Sequence, residues 1–396
     1  LHPRVRRQRQ MCIRDRLLNE QAGILMEQII YQVTNYDEEA VYKAVSKALS
    51  DLHVQDDLKP DMRIVLKPNL VMAKKPEFPV TTHPLIVKSV ARWLREQGMK
   101  HITVAESSGG PYNAEYIKGI YHTCGMTEVE PYAELNSNFD FVSVPSPEGF
   151  INHTFNIIKP IAEADYIINL PKLKTHAMTG YSGGIKNLFG CIPGLQKPQL
   201  HYRFPDIEDF SNMLVELSLS VQPQVTLIDA IDAMEGNGPT GGTSHPLGLI
   251  LAARDMYTQD YFAASLMQLD PDEIVMIRQA KDRGLIHMDE LVQIGDPLPA
   301  ELTPFRQPDT RSLDFSEKVP AFLQKPFTAF LSKVLKSYPK LQPDLCVGCG
   351  KCAESCPAHV IEIKDRKAHF RRKGCISCFC CQEMCPMKAI AVKKAL

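Results

Sequence analysis

Eight cysteines near the end of the chain repeat one spacing twice. The first set reads Cys-x2-Cys-x2-Cys-x3-Cys-Pro from residue 346, and the second repeats it 29 residues later. The similarity continues beyond the cysteines, because Cys-Pro-Ala-His-Val-Ile at residues 356–361 corresponds to Cys-Pro-Met-Lys-Ala-Ile at residues 385–390. Such a repeat indicates internal duplication of one half-domain.

This spacing is typical of thiolates that hold 4Fe–4S clusters. Three cysteines in a tight loop reach one face of a cube, and the fourth ligand comes from the other copy of the motif. Zinc usually takes paired CxxC knuckles and disulfides suit secreted chains, so both fit less well. Cys380 is left over, either as a spectator thiol or as a replacement for Cys381. We predict two clusters with interleaved ligands: Cys346, Cys349, Cys352 and Cys385 for the first, and Cys375, Cys378, Cys381 and Cys356 for the second.

The stretch from residue 344 to about residue 392 resembles bacterial two-cluster ferredoxins. That resemblance implies a small α+β domain, assigned here to residues 344–396, which carries single electrons. It also implies a redox partner protein and a reducing compartment, so we expect a cytoplasmic location.

A second group of polar residues follows an apolar stretch at residues 166–170, which is predicted to be a strand. This group contains Lys172, Lys174, His176, Lys186 and Asn187, together with several glycines. Ligands bind beyond the carboxyl ends of strands in parallel sheets, and lysines with exposed backbone N–H groups bind anions. We predict a binding site for a small anionic substrate. The alternative is a solvated basic loop.

Two further motifs are candidates for the same cleft. Lys67 and Asn69 end an early predicted strand, and Glu235 and Asn237 lie in a Gly-rich loop. The loop contains the letters GxGxxG, but Pro239 disfavours the helix that a dinucleotide site requires. We therefore expect an active-site loop there. Because a reduction consumes protons as well as electrons, His176 or Glu235 is the candidate catalytic proton donor.

Alternating helices and strands must position these groups. The spacing of apolar residues predicts a largely parallel, covered sheet of the α/β class. Residues 297–343 are rich in proline and are predicted to form a bridge with an amphipathic helix at residues 319–335. The predicted helices are residues 39–52, 84–97, 207–220, 258–268 and 271–283, and the predicted strands are residues 62–66, 101–105, 139–144, 166–170, 225–230 and 247–252.

Several of these motifs, in this order, are similar to domain-of-unknown-function family 362. They are Lys-Pro-Asn-Leu-Val from residue 67, Pro-Lys-Leu-Lys-Thr-His from residue 171, Ile-Lys-Asn-Leu-Phe-Gly from residue 185, Pro-Gly at residue 193 and Glu-Gly-Asn-Gly-Pro from residue 235. The resemblance runs from about Met62 to Asp296 and implies the fold. Members often carry a ferredoxin module. One departure is Glu106-Ser107-Ser108, where the family pattern has an acidic residue and then Ser-Pro.

Composition excludes several classes of protein. The chain is 44% hydrophobic and 23% charged, as is usual for a soluble globular protein, and its net charge of -1 gives no support to nucleic-acid binding. No apolar run is long enough to span a membrane. The first sixteen residues hold six arginines and resemble a translated sequencing adapter. We therefore predict that residues 1–25 are an artefact or a disordered leader, that Met26 is the natural start, and that the α/β domain covers residues 26–296.

Three functions remain open on this evidence. The chain is an iron–sulfur oxidoreductase that reduces a small anion, an electron-transfer or assembly protein that docks a partner, or a non-redox enzyme with structural or sensing clusters. They differ in whether the basic cleft is enclosed and lies close to a cluster.

Overall fold

The computed structural model describes residues 26–309 and 338–393. The predicted leader and the predicted amphipathic helix at residues 319–335 lie outside these ranges. No helix within them is long and apolar enough to cross a membrane.

Ten strands form one large sheet in the described part of residues 26–309. Its main path has the order β12-β1-β11-β10-β7-β2-β3-β4, and β8 and β9 branch from β10. Pairing is parallel except for β1 with β11, β10 with β11 and β8 with β9. The predicted largely parallel α/β fold is confirmed. The strands are β1 Met26–Gln32, β2 Arg63–Pro68, β3 His101–Val104, β4 Glu134–Leu135, β7 Tyr166–Leu170, β8 Lys172–His176, β9 Gly180–Ser182, β10 Val225–Glu235, β11 Thr243–Ala253 and β12 Leu291–Gly295.

Helices cover both faces of this sheet, because each presents an apolar stripe to it. The core on one face contains Val41 of α1, Ile86 of α2 and Ile117 of α3. The core on the other face contains Phe210 of α7 and Ile277 of α9. The helices are α1 Glu38–Asp51, α2 Pro84–Glu96, α3 Ala114–Thr123, α4 Lys159–Ala162, α5 Gly184–Asn187, α6 Gln196–Arg203, α7 Ile207–Val221, α8 Met256–Leu266 and α9 Val275–Asp282.

The helix ends follow local rules. Asp37 precedes α1, and its carboxylate accepts a hydrogen bond from the backbone N–H of Ala40 at 2.9 Å. Asp255 caps α8 in the same way. Such caps satisfy N–H groups that have no partner inside the helix, which is why α1 and α8 begin where they do.

Several observed elements, such as β1 and α3, are not among the predicted ones, and two departures concern segments discussed above. Lys172–His176, for which no strand was predicted, forms strand β8, because all five residues are buried beside β9 and β10. The strand predicted at residues 139–144 is β5 Phe141–Pro145, which pairs only with β6 Thr154–Ile158 in a separate two-stranded sheet. The Gly-rich letters GxGxxG lie in the turn between β10 and β11, so no helix follows them.

The second unit spans residues 338–393 and is a small α+β structure. β13 pairs with β16 and β14 pairs with β15, both antiparallel. β13 falls within the stretch predicted as the bridge, so its hydrogen bonds to β16 extend this unit toward the N-terminus. The elements are β13 Tyr338–Leu341, α10 Lys351–Glu354, β14 Ile361–Lys364, β15 Lys367–Phe370, α11 Cys380–Glu383 and β16 Ile390–Lys393.

Candidate functional site

A pocket of about 80 Å³ lies just beyond the carboxyl ends of β2, β3 and β8. Asn69 follows β2, Glu106 follows β3, and His176 ends β8. Lys186 and Asn187 reach the pocket from α5. A volume of this size holds several water molecules or a small ligand. The sheet and α5 therefore bring four of the nine side chains predicted for the α/β domain, Asn69, His176, Lys186 and Asn187, to one place.

Three of the four predicted substrate-binding lysines are already paired. Lys67 forms a buried ion pair with Glu106. Lys172 donates to Asp229 at 3.0 Å and to Tyr36 at 2.6 Å. A buried ammonium needs such partners, because desolvation of an unpaired charge is costly. These lysines support the walls of the site and have little capacity left for an anion.

Lys174 is also held inside the protein. Its ammonium donates to the side-chain oxygen of Asn69 at 2.8 Å and to the carbonyl oxygen of Val80. Burial lowers its pKa to about 7. Asn69 in turn donates to Asn187 at 3.1 Å, and Asn187 donates to the carbonyl oxygen of Lys67 at 3.1 Å. This network fixes one wall of the pocket.

Lys186 differs from the other lysines. Its ammonium lies over the rings of Phe189 and Phe210, 4.8 and 6.0 Å from their centroids. In the part of the chain that the structure describes, it forms no hydrogen bond or ion pair at close range. Burial lowers its pKa. Lys186 is therefore the lysine with free capacity to bind an anion.

His176 presents one ring nitrogen to the pocket. Its Nδ1 accepts backbone hydrogen bonds from Met178 at 3.1 Å and Thr179 at 3.3 Å, which leaves the ring hydrogen on Nε2. Nε2 is buried, has no hydrogen-bond partner in the described residues, and lies 3.6 Å from Oε1 of Glu383. Burial lowers the pKa of His176 well below its usual value. A neutral imidazole in this tautomer donates a hydrogen bond but is a poor acid.

Glu235 and Asn237 lie away from the pocket lining and hold the segment of residues 303–309. The Glu235 carboxylate contacts Nδ1 of His245 at 3.1 Å and accepts from the backbone N–H of Arg306 at 2.9 Å. Asn237 exchanges two hydrogen bonds with Asp309, at 2.8 and 2.9 Å. These contacts account for both side chains without a substrate.

Sequence reasoning missed several residues of the pocket. Glu106 follows a predicted strand, as Lys67 does, so its position carried the same signal. Lys197 and His201 are four residues apart and share one face of α6, which a helical reading would have revealed. Burial lowers the pKa of Lys197 to about 7 and that of His201 to about 3.

The second unit forms one wall of the pocket. Cys380 and Glu383 of α11 are among its lining residues. The backbone carbonyl of Glu383 accepts a hydrogen bond from Thr240 at 3.2 Å. Met384 packs so tightly on Gly109 that a Cβ there would lie 2.5 Å from its sulfur. No sequence signal indicated that α11 would dock here.

Two cavities inside the second unit are each surrounded by four cysteines. One is lined by Cys346, Cys349, Cys352 and Cys385, and the other by Cys356, Cys375, Cys378 and Cys381. These groups equal the two predicted ligand sets. The other lining residues are mostly apolar, so thiol sulfur is the main donor available and fits an iron–sulfur centre. Within the described ranges, no three Cys, His, Asp or Glu side chains converge on a position for a single ion; the cysteines stand around each cavity instead.

Residues 64–265, a little over half of the chain, match the family described as domain of unknown function (DUF362). The chain belongs to this family. Residues 338–386 match the 4Fe-4S dicluster domain. The predicted fusion of a DUF362 domain with a ferredoxin-type unit is confirmed, and the chain is an iron–sulfur protein.

This DUF362 chain is similar to a thylakoid-associated protein from Synechocystis sp. The two are 32% identical over 289 residues, which cover 71% of this chain and 83% of the relative. Among solved structures, the lactate racemase apoprotein from Thermoanaerobacterium thermosaccharolyticum aligns with a TM-score of 0.40 and 11% identity. That alignment covers 61% of this chain and 57% of the racemase, so it spans less than two thirds of that protein.

Proposed function

We propose that this DUF362 protein is an iron–sulfur oxidoreductase that reduces a small anionic substrate in the pocket. One observation carries the proposal: α11, which contains the predicted ligand Cys381, forms part of the pocket wall through Cys380 and Glu383. An electron leaving the second unit therefore arrives beside a bound substrate. This contact favours direct reduction over a role in which the cleft and the clusters act separately.

Two 4Fe–4S clusters are proposed, one in each cysteine-lined cavity. Such clusters carry single electrons between donors and acceptors. Eight irons and eight sulfides per chain would follow. Mutation of a cysteine in one set should then remove the cluster of that set and leave the other cluster in place.

Lys186 and His176 are the groups proposed to hold the substrate. The Lys186 ammonium supplies the positive charge for an anion, and the Nε2–H of His176 supplies a hydrogen bond that orients it. The reduction needs protons, and we assign their delivery to Lys186, because burial lowers the pKa of its ammonium and so makes it a better acid. The electrons come from a reduced carrier protein, which is oxidised in turn.

The test measures anion binding to the anaerobically purified holoprotein. Sulfite, nitrite and acetate are titrated by calorimetry into the wild type, into Lys186→Met, and into Lys43→Met as a matched control on the exposed face of α1. We expect at least one anion to bind and its affinity to fall at least tenfold in Lys186→Met. The same anion should reoxidise the reduced wild type faster than it reoxidises the reduced variant.

Other outcomes select the other functions. An absence of binding by all three anions, with full iron content, would favour a non-catalytic electron-transfer or assembly protein. Binding without reoxidation would favour a non-redox enzyme with structural or sensing clusters. We also propose a cytoplasmic location, where reducing conditions protect clusters; cell fractionation tests it, and recovery with membranes would contradict it.

A further inference from the structure

The two cysteine motifs face different surroundings although they share one pattern. Cys349 is exposed, whereas its counterpart Cys378 is buried. Lys351 is exposed, whereas its counterpart Cys380 is buried in the pocket wall. The duplicated halves have therefore diverged: the first motif reaches solvent at Cys349, and the second reaches the pocket at Cys380.

Apolar side chains are exposed around the first motif. Leu345 and Val347 are 45% and 50% exposed, and Ile363 and Met387 are 36% and 45% exposed. Three of the four also line the cavity of the first cysteine set. A group of exposed apolar residues beside an electron-transfer centre marks an interaction surface. We name these four residues, with Lys351 and Arg366, the docking face.

The charge around this face has one predominant sign. Residues 338–393 contain ten Lys or Arg and five Asp or Glu, before the charge of any cluster is added. Six of the basic residues fall within residues 364–373, where Asp365 is the single acidic residue. The backbone of Arg366 lies against Gly348 of the first motif, which places the turn between β14 and β15 beside that motif, whereas Arg371 and Arg372 line the second cysteine cavity. A partner with an acidic surface is complementary to it.

We propose that the docking face receives an acidic electron-carrier protein, and that electrons enter at the first motif and leave through the second toward the pocket. The proposed path from the second motif to the pocket rests on the proposed function. The proposed entry of electrons at the first motif does not, because reduction of the chain is measurable without substrate. In each encounter the carrier loses one electron and is oxidised, and the chain gains that electron and is reduced.

The test uses flavodoxin in its hydroquinone form, an acidic carrier without iron. The full-length holoprotein is mixed with it anaerobically in a stopped-flow instrument at low ionic strength. We compare the wild type, Lys351→Glu/Arg366→Glu, and Lys43→Glu/Lys59→Glu, a control with the same charge change on exposed residues of the α/β unit. We expect the second-order rate constant to fall about tenfold in the docking-face variant and to stay unchanged in the control. Added salt should slow the wild type and have little effect on the docking-face variant.

Two measurements separate docking from other causes. Dithionite, a small reductant that needs no docking surface, should reduce wild type and variants equally fast. Iron and sulfide contents should also be equal; if the double variant loses iron, Arg366→Glu alone, which lies outside both cysteine motifs, should still slow flavodoxin about threefold.

The proposal is overturned if flavodoxin reduces the docking-face variant as fast as the wild type, or if the control slows equally. It is also overturned if sedimentation shows a dimer that Lys351→Glu/Arg366→Glu dissociates, because the face would then join two copies of this chain. The anion titration of Lys186→Met is independent of these results, so either proposal can fail while the other stands.

Discussion

Replacing Glu106 by Gln should destabilise the α/β unit, because the change leaves a buried ammonium without its counter-ion. Lys67 is fully buried and Glu106 is 4% exposed. The two side chains form an ion pair beside the pocket. Apart from that carboxylate, the Lys67 ammonium donates to the carbonyl oxygen of Pro68 at 3.0 Å. One carbonyl oxygen does not replace the lost charge.

The size of the effect has a lower and an upper bound at pH 7. Removal of one partner of a buried ion pair typically costs about 3–5 kcal/mol. Where the attraction of the pair is offset by its own desolvation, the cost is limited by the free energy of removing the proton from a lysine, which at an ordinary pKa near 10.4 is about 4.6 kcal/mol at pH 7. We therefore expect the free energy of unfolding to fall by about 3–4.6 kcal/mol.

The effect must shrink as the pH rises. In the variant, the folded state favours a neutral Lys67, so the unfolded chain binds more protons and stability rises with pH. At pH 9 the cost of removing the proton is only about 1.9 kcal/mol. The difference from the wild type should then be about 2 kcal/mol or less.

Urea unfolding followed by fluorescence measures this difference. The single tryptophan, Trp93, is buried in α2 and reports on the α/β unit. Glu216→Gln is the control: its buried carboxylate accepts backbone hydrogen bonds from Ile151 and Asn152 at 2.8 and 3.0 Å and pairs with no lysine of residues 26–309 and 338–393. That change should cost about 1–3 kcal/mol at either pH. A loss below about 1 kcal/mol for Glu106→Gln, or one that is equal at pH 7 and pH 9, would refute the reasoning.

Three further predictions concern other parts of the chain. Burial lowers the pKa of Lys197 to about 7, so its contribution to the free energy of unfolding should rise with pH, by up to about 1.4 kcal/mol per pH unit between pH 7 and pH 10. Lys197→Met should remove that slope in the same urea unfolding experiment. A slope that is unchanged in the variant contradicts this prediction. Glu235→Gln should lower the free energy of unfolding by about 1 kcal/mol, because it weakens the contact with Arg306, and should leave the anion affinity measured by calorimetry unchanged. A tenfold loss of affinity would show that Glu235 takes part in anion binding. Iron removal by a chelator should expose residues 338–393 to trypsin while Trp93 fluorescence stays native, because the core of that unit is small and rich in cysteine; equal resistance with and without iron would show that the unit folds unaided.

Local patterns in the sequence were sufficient for much of this molecule. The repeated cysteine spacing predicted which four thiols surround each cavity, because the spacing itself limits which sulfurs can meet. Within residues 26–309 and 338–393, apolar periodicity predicted five of the seven helices that are eight residues or longer, such as α1 and α7, and six of the sixteen strands, since those elements depend on neighbours in the chain. The strand β8 was missed because its alternating lysines look solvated when their partners are unknown.

The roles of the lysines were decided only by the tertiary structure. Lys172 meets Asp229 because β8 and β10 pair in a register that joins residues 57 positions apart. Lys67 meets Glu106 because β2 and β3 are neighbours in the sheet. Among the described residues Lys186 has no carboxylate partner of this kind, and it faces the pocket, although in sequence it looks like the other three lysines. The cysteine groups and the fold class could be predicted from the sequence, because both predictions depend on spacing along the chain. Two features depend on contacts between distant segments: which of the described lysines has no such partner, and that α11 forms a wall of the same pocket. Spacing along the chain carries no information about such contacts.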